Sequence, residues 1–312
     1  MNALLTKIAI NDYNTSMSIL KPKPTTIPAL PLRPDTMVEH YKIGKVIGVG
    51  GFSVVYSALD TKTNAVVAIK EFYATNCMRR ARDGSLHVFP KEQEHKYHIG
   101  LKRFFDEGLT LSQIDHPNIV NVSNFFRANN TAYLVMRFEH GKDLRWFIKN
   151  TDYVPDEEFI LSVFSMVLAG LKEVHKNSFL HLDIKPSNIL LRASGVPLIL
   201  DLGAAYKFPS SERHKVHTLT HGYSAPEQHE KTDLSLCSDL YAIAMTMRAC
   251  ITHKSPPSAV KRSKKDTLRP LKETHSRHYR KNLILAIDRA SSLDQSQRPQ
   301  SVDEFVEIMT TR

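Results

Sequence analysis

The sequence predicts an α+β protein in which a smaller, strand-rich part precedes a larger, mainly helical part. Apolar and polar residues alternate over 41–47, 53–59 and 65–71, which is the period of strands with one buried face. Between Glu157 and Lys176, apolar residues recur every three or four positions, and this spacing gives a helix one buried stripe. The 312 residues, of which 42% are apolar, suffice for one two-lobed domain or for two small domains.

The other elements of the strand-rich part follow the third alternating segment. We predict a helix near 99–113 and then strands near 121–127 and 131–136. The stretch 71–106 is longer than this part of the chain needs. We interpret it as an insertion that precedes or extends the helix.

Turn-forming residues mark the N-terminus and the helical part. Five prolines favour extended, polyproline-like backbone near the N-terminus: Pro22, Pro24, Pro28, Pro31 and Pro34. We therefore interpret residues 1–35 as a proline-rich tail or strap and not as a domain. In the helical part, Ala193-Ser194-Gly195 predicts a turn between short strands at 189–192 and 197–200.

Two short segments indicate the chemistry of the chain. Residues 181–188 read His-Leu-Asp-Ile-Lys-Pro-Ser-Asn, and an Asp-Leu-Gly begins at Asp201, 13 residues after Asn188. Phosphoryl transfer needs a carboxylate that can take a hydroxyl proton, an amine that can hold phosphate oxygens, and oxygen ligands for a divalent cation. Asp183 and Lys185 are candidates for the first two tasks, and Asn188 with Asp201 is the candidate for the third.

These segments resemble the catalytic and metal-binding loops of protein kinases, and an earlier segment resembles the glycine-rich loop of that family. The residues of this loop are Ile47, Gly48, Gly50, Gly51, Phe52, Ser53 and Val55. Glycine lets the backbone approach phosphate groups without a Cβ in the way, and Ser53 replaces the family's third glycine with another small residue. Val67-Ala68-Ile69-Lys70 resembles the strand that ends on the ATP-binding lysine, and the resemblance implies Glu107 as the partner of Lys70.

Further motifs occur in the order that the family has them. Met136 corresponds to the residue that guards the adenine pocket, and Glu139 lies in the hinge after it. Asp143 corresponds to the acidic residue near the ribose. Ala225-Pro226-Glu227 resembles the end of the activation segment, and the resemblance pairs Glu227 with Arg298.

The resemblance covers about 36–310 and implies a bilobal protein kinase-like fold. It implies a kinase domain over 36–312, with a small lobe at about 36–138 and a large lobe at about 139–310. The motifs and the insertions are similar to those of bacterial, eukaryotic-like serine/threonine kinases.

The same resemblance implies the reaction and its cofactors. The chain is expected to transfer the γ-phosphate of ATP, with the help of Mg²⁺, to Ser or Thr hydroxyls of protein substrates. Asp183 is then the catalytic base, and Lys185 contacts the γ-phosphate. Asn188 and Asp201 hold the metal ion.

One departure from the family bears on control. Leu182 stands where many of these kinases carry an arginine, which binds the phosphate of the activation segment through paired charged hydrogen bonds. Leucine cannot bind a phosphate in this way, so we predict a working form that needs no such phosphorylation. The hydroxyl residues of the segment are Ser210, Ser211, Thr218 and Thr220, of which Thr220 matches a position adjacent to substrate.

Two other functions fit parts of the sequence. Small-molecule kinases of the aminoglycoside type share the Asp and Asn of the loop, but they typically lack a complete glycine-rich loop and the Ala-Pro-Glu. A pseudokinase, which serves as a binding scaffold without turnover, is the alternative from a different class. No catalytic position is lost in this sequence, which favours an enzyme over the scaffold.

The formal net charge of +10 is concentrated in one segment. From Lys254 to Lys281 there are ten Lys or Arg residues and two acidic residues, a net charge of +8. The segment is either a surface that binds an acidic partner, nucleic acid or an anionic membrane, or a solvated insertion before the last helices, which we favour. Tyr279 is its single aromatic residue, so base stacking with nucleic acid is not favoured.

The remaining composition indicates a compartment. Three widely spaced cysteines fit no metal-binding pattern and indicate thiols in a reducing environment. No run of 18 apolar residues occurs, and the first ten residues lack the pattern of a secretory signal. We therefore expect no membrane span and a cytoplasmic location, with delivery into another cell as the alternative.

Overall fold

The computed structural model describes residues 31–311 except 75–76, 90, 152, 204, 210–218 and 231. The described residues form two compact units. The small unit comprises residues 31–115 and 120–139, and the large unit comprises residues 116–119 and 140–311.

The small unit consists mainly of strands. Its elements are β1 (Met37–Val38), β2 (Tyr41–Val49), β3 (Ser53–Asp60), β4 (Val66–Phe72), β5 (Met78–Arg80), β6 (Leu86–Val88), α1 (Glu94–Ser112), β7 (Val122–Ala128) and β8 (Thr131–Arg137). Six strands form an antiparallel sheet in the order β1-β2-β3-β4-β8-β7, while β5 and β6 form a separate hairpin. The five strands predicted for this part are confirmed to within two residues at each end, because their alternation marks them.

Both faces of the six-stranded sheet are covered. On one face, Phe72 of β4 packs against Phe104 of α1, with ring centroids 5.7 Å apart. Glu71 points to the opposite face, since neighbours on a strand alternate, and there it meets the β5–β6 hairpin. Leu32 is buried on this second face, and its backbone N–H donates to the Tyr56 hydroxyl (3.0 Å). The core of the small unit therefore includes a residue that the sequence assigns to the tail.

Two features of the small unit differ from what the sequence predicts. Helix α1 begins at Glu94 and not near residue 99, because the residues of its first turn are mostly polar and exposed and so show no apolar period. The interpreted insertion at 71–106 contributes the β5–β6 hairpin as well as the start of α1. Strands of three residues are too short to show alternation, so the pattern could not predict this hairpin.

The large unit consists mainly of helices. Its elements are β9 (Gly141–Asp143), α2 (Leu144–Asn150), α3 (Glu157–Lys176), β10 (Phe179–Leu180), β11 (Ile189–Arg192), β12 (Pro197–Ile199), β13 (Tyr206–Lys207), α4 (Pro226–Glu230), α5 (Leu236–Thr252), α6 (Ala259–Lys264), α7 (Leu271–Thr274), α8 (Lys281–Ala290) and α9 (Val302–Thr310). Strands β12, β11 and β9 form a small antiparallel sheet, and β10 pairs with β13.

Helices α3 and α5 form the centre of the large unit. Helix α3 has the bounds that its apolar spacing predicts, Glu157–Lys176. Asp156 is its N-cap, because Oδ1 of Asp156 accepts a hydrogen bond from the backbone N–H of Phe159 (2.8 Å). Helix α5 is buried from Cys237 to Ile251. A helix that is buried on all sides must place any polar side chain against a partner inside the protein.

A buried ion pair joins α4 to the segment before α9. The guanidinium of Arg298 donates to Glu227 through Nη1 (2.7 Å to Oε1) and Nη2 (3.1 Å to Oε2). The Ser238 hydroxyl of α5 also donates to Oε1 of Glu227, at 2.6 Å. The pairing of Glu227 with Arg298 that the family resemblance implies is confirmed.

The basic segment 254–281 is partly packed into the large unit. Arg262 of α6 is buried, and it donates to Asp266, to the Tyr241 hydroxyl and to the carbonyl of Ser291. This arginine therefore stabilises the fold and is not part of an exposed charged surface. Among the described residues, no helix has both the length and the apolar character needed to cross a bilayer.

Candidate active site

The loop between β10 and β11 carries three of the candidate residues, Asp183, Lys185 and Asn188. Two bends determine its course. Leu182 has a left-handed backbone conformation (φ 61°), which is uncommon for a leucine. Pro186–Asn188 forms a 3₁₀ turn.

A fully buried carboxylate on α5 holds this loop. Asp239 accepts hydrogen bonds from the backbone N–H groups of His181 (2.8 Å) and Leu182 (2.7 Å). Nε2 of His175 on α3 lies 2.8 Å from the same carboxylate. These contacts connect α3, α5 and the loop immediately before Asp183.

The donors around Asp239 keep it ionised. Burial raises the pKa of this carboxyl, but the hydrogen bond and charge of His175 and the N–H of His181 lower it by more, so that its pKa lies below the ordinary value. The loop is thus held by a charged acceptor, which binds N–H donors more strongly than a neutral group does.

The Asp183 carboxylate is the centre of a hydrogen-bonded cluster. It accepts from Nζ of Lys185 (2.9 and 2.7 Å), from the Thr220 hydroxyl (2.7 Å) and from the side-chain amide of Asn188 (3.1 Å). Nζ of Lys185 also donates to the Thr220 hydroxyl, at 3.1 Å. One carboxylate, one amine and one hydroxyl are therefore within direct reach of each other in the large unit.

Asn188 and Asp201 are suited to hold a divalent cation. The amide nitrogen of Asn188 is directed to Asp183, where it also donates to the backbone carbonyl (2.9 Å). Its Oδ1 accepts a long hydrogen bond from the Ser187 hydroxyl (3.5 Å) and still has a lone pair with which to bind a cation. The backbone N–H of Leu200, just before Asp201, donates to the carbonyl of Asn188 (2.9 Å) and keeps the two segments adjacent. Oxygen donors of this kind are what Mg²⁺ prefers.

Leu182 lies in an apolar cluster and is buried. The members of this Leu182 cluster are Leu180, Leu182, Leu234, Tyr206, Phe208 and Leu236. Tyr206 belongs to β13, which follows Asp201 in the chain and pairs with β10. Apolar packing in this cluster therefore connects the segment that contains Leu182 with Tyr206 and Phe208.

In the small unit, Lys70 and Glu107 form the ion pair that the resemblance implies. Nζ of Lys70 on β4 is 2.7 Å from Oε1 of Glu107 on α1, and the two side chains are only 10% and 5% exposed. The pair is desolvated, and a charge in such a place needs its partner. This pairing is confirmed.

The predicted glycine-rich loop joins β2 to β3. The backbone N–H of Gly50 donates to the carbonyl of Ser53 (2.8 Å), while Phe52 is exposed. A Cβ built on Gly48 would make ordinary contact with Val55, and a Cβ on Gly51 would meet nothing within 4 Å. Packing within the chain therefore does not require glycine at these two positions.

The other candidate residues have different surroundings. Met136 is buried on β8, opposite Ala68 of β4. Glu139 is partly exposed, and its Oε1 lies 3.7 Å from Nε of Arg137. Asp143 caps the start of α2, because its Oδ1 accepts from the backbone N–H of Trp146 (2.6 Å).

Sequence reasoning missed the residues that support the loop from behind. Ser238-Asp239-Leu240-Tyr241 resembles the central helix of the family's large lobe, but no role in holding the loop was assigned to Asp239 from the sequence. His175 was not singled out, and neither was Gln228, whose side-chain amide donates to the carbonyl of Leu182 (2.9 Å). An acidic residue inside the long apolar stretch of α5 was an available signal, since a buried carboxylate requires donors. Nothing in the sequence indicates which donors it would find.

Comparisons with known proteins agree with this geometry. Residues 41–311 match the family model of the protein kinase domain. A solved structure, PpkA-294 in its apo form, is similar with a TM-score of 0.80 and 28% identity, covering 89% of this chain and 99% of that one.

Curated relatives are similar over most of this chain. A probable serine/threonine-protein kinase PknB of Lactococcus lactis is 27% identical over 70% of this chain and 32% of its own length. The serine/threonine-protein kinase PrkC of Bacillus subtilis is 28% identical over 70% of this chain and 31% of its own length. The chain thus spans roughly a third of the length of these relatives.

We predict that Asp239→Asn lowers the free energy of unfolding at neutral pH and makes this free energy less dependent on pH. The pKa of Asp239 is lowered by folding, so its contribution is complete above the unfolded-state pKa of about 4 and is lost as pH falls through the folded-state value. In the variant, the amide nitrogen faces a backbone donor, which costs about 1–3 kcal/mol. Urea unfolding between neutral and acidic pH measures both effects.

Asp303→Asn is the matched control, because Asp303 is 72% exposed and pairs only with the exposed Lys172 among the contacts described for it. We expect little change in its unfolding profile. Equal stability of Asp239→Asn and the wild type at neutral pH would contradict the anchoring role.

Proposed function

Since this chain belongs to the protein kinase domain family, in its bacterial, eukaryotic-like serine/threonine class, we propose that it transfers the γ-phosphoryl group of ATP to Ser or Thr hydroxyls of proteins. The observation that carries this proposal is the cluster of Lys185, Thr220 and Asn188 around the Asp183 carboxylate. Its groups are those that phosphoryl transfer to a hydroxyl requires.

In the proposed reaction, the Asp183 carboxylate orients the substrate hydroxyl and accepts its proton. The hydroxyl oxygen forms the new bond to the γ-phosphorus while the bond to the oxygen of the leaving ADP breaks. Nζ of Lys185, which is already directed into this cluster, offers its positive charge to the transferred phosphoryl oxygens. Positioning and charge compensation account for most of the catalysis in such a step.

The metal and nucleotide roles follow from the donor atoms. Oδ1 of Asn188 and the carboxylate of Asp201 would hold Mg²⁺, which when bound neutralises charge on the phosphates. In the small unit, the backbone of Gly48, Gly50 and Gly51 and the amine of Lys70 would contact the phosphates of ATP. Support for this comes from the absence of any packing reason for glycine at 48 and 51.

The other residues are proposed to bind the rest of the nucleotide. Side chains of Ile47, Val55 and Met136 would contact the adenine, and Glu139 would lie in the hinge after them. Asp143 would act near the ribose through Oδ2, because its Oδ1 caps α2. We propose that the kinase domain comprises residues 36–312. Leu32, which precedes this range, also packs in the core of the small unit.

We propose further that the chain works without phosphorylation of its activation segment. The Leu182 cluster supports this, because apolar packing already connects the loop before Asp183 with Tyr206 and Phe208. An arginine at this position would be buried without its phosphate partner, at a cost in free energy. The candidate sites Ser210, Ser211 and Thr218 lie outside the described residues.

For the basic segment 254–281, we propose an acidic partner as the alternative to the favoured solvated insertion. The exposed residues Lys261, Lys264 and Lys265 lie close together on and after α6, and a cluster of like charges attracts an acidic protein surface. Arg262 is left out of this surface because it is buried among its own partners.

Asp183→Ala should lower kcat by about 10²–10⁴-fold, because the hydroxyl loses the group that orients it and takes its proton. The affinity for Mg·ATP should change little. Steady-state phosphoryl transfer to a generic Ser/Thr peptide, together with a nucleotide-binding titration, measures both quantities. Near wild-type turnover in the variant would refute the role, and absence of turnover in the wild type would support the scaffold alternative.

Asp201→Asn serves as the contrasting variant in the same experiment. It removes a charged ligand of the cation, so Mg²⁺-dependent binding of ATP should weaken. Unchanged Mg·ATP affinity would contradict the metal role of Asp201.

A variant with Ser210, Ser211 and Thr218 all changed to Ala should start at the full wild-type rate without a lag, as should phosphatase-treated enzyme. The physical reason is that the Leu182 cluster needs no phosphate to hold the segment. Time courses recorded from the first seconds after addition of ATP provide the measurement. A long lag that prior incubation with ATP removes would mean that phosphorylation is the switch.

Changing Lys261, Lys264 and Lys265 to Ser should weaken binding of a labelled poly-glutamate peptide and leave transfer to a neutral peptide unchanged. Binding by the wild type should fall steeply as salt is raised, because exposed charges are screened. Lys62, Lys149 and Lys176 changed to Ser give a control with the same change in net charge. An equal loss of poly-glutamate binding in both triple variants would mean that net charge alone, and not this cluster of lysines, explains the binding.

A further inference from the structure

A buried carboxylate in the small unit has donors from three different segments. Glu71 of β4 has no exposure to solvent. It accepts hydrogen bonds from the hydroxyls of Tyr56 (2.7 Å) and Tyr133 (2.6 Å) and from Nη2 of Arg80 (2.6 Å). Burial and the charge of Glu71 raise the pKa of both tyrosines, so their hydroxyls stay protonated and act as donors.

Arg80 is the only cation among these partners of Glu71, and it comes from the β5–β6 hairpin. Its side chain is 6% exposed, and its Nη1 donates to the carbonyl of Gly84 (2.8 Å) in the turn of the same hairpin. Burial lowers the pKa of Arg80, but the Glu71 carboxylate together with Tyr56 and Tyr133 raises it by more. One guanidinium thus closes the hairpin and attaches it to the sheet.

The position of Glu71 in the chain connects this contact to nucleotide binding. Lys70 precedes it on β4, so the two side chains point to opposite faces of the same strand. Lys70 is held on its face by Glu107 (2.7 Å), and Glu71 is held on the other face by Arg80. Movement of the Glu71 side chain would move or twist the strand that places the Lys70 amine.

We propose that Arg80 is a positioning residue for nucleotide binding, because its pairing with Glu71 fixes the strand that carries Lys70. The inference rests on the proposed function of Lys70 as an ATP-binding residue. It assigns a role to the β5–β6 hairpin, which contains none of the catalytic motifs. Removal of the guanidinium leaves the Glu71 carboxylate buried with two neutral donors only, which is costly. Strand β4 is then expected to move so that water reaches the carboxylate.

Arg80→Met tests the proposal, with Arg79→Met as the matched control. Arg79 lies next to it in β5, but it donates to the carbonyl of Met78 and lies over the ring of Phe89, without a contact to Glu71 among those described. In Arg80→Met, KM for ATP and Kd for Mg·ATP should rise roughly tenfold or more, whereas kcat at saturating ATP and KM for the peptide stay within about twofold. Arg79→Met should match the wild type in all four.

A second substitution separates positioning from simple loss of structure. Adding Glu71→Gln to Arg80→Met removes the unpaired charge, so ATP affinity should recover in part, although the double variant lacks more polar contacts than the single one. Arg80→Lys retains a cation and should show an intermediate KM for ATP. If Arg80→Met does not fold, the double variant and Arg80→Lys decide the question by the same comparison.

Hydrogen exchange of β4 gives a readout that does not require activity. Backbone amides of Val66–Phe72 should exchange faster in Arg80→Met than in Arg79→Met. A folded Arg80→Met with wild-type ATP affinity and unchanged exchange in β4 would overturn the inference, as would a drop in thermal stability without any rise in KM for ATP. Failure of the wild type to bind ATP would instead refute the proposed function, and the exchange data would still report on the strand.

Discussion

A carboxylate that lies wholly inside a protein persists only where donors surround it, and in the large unit the rest of the candidate site depends on such a group. Asp239 receives the backbone amides of His181 and Leu182 as well as the ring of His175. Because His181 and Leu182 immediately precede Asp183, the Asp239 side chain of α5 fixes the backbone next to Asp183. The residue that follows these two amides is Asp183, the centre of the hydrogen-bonded cluster.

The same physical device recurs at two other places in the chain. Glu227 of α4 pairs with Arg298, which lies 71 residues later in the chain. Glu71 is held by Arg80 and by two tyrosines, and it ties the hairpin to the sheet. Burial of a charge is costly when the partner is absent. Each of these contacts therefore favours one arrangement of distant segments over others.

How much could be predicted from the sequence depended on the range of the interaction. Strands β2, β3 and β4 and helix α3 follow from the period of their own apolar residues, and the Lys70–Glu107 and Glu227–Arg298 pairs follow from the order of the family motifs. The β5–β6 hairpin was not predicted, because its strands are shorter than any detectable period. The contacts of Asp239 and Arg80 were also missed, since partners distant in sequence leave no local pattern.

The Leu182 cluster makes the packing of Tyr206 and Phe208 sensitive to temperature and to salt. Contact between the loop before Asp183 and the residues Tyr206 and Phe208 is apolar, and apolar stabilisation weakens on cooling but is strengthened by excluded salts such as sulfate. A phosphate held by arginine behaves in the opposite way towards salt, because ions screen it. The packing of Tyr206 and Phe208 on this cluster should therefore weaken in the cold and strengthen in concentrated sulfate.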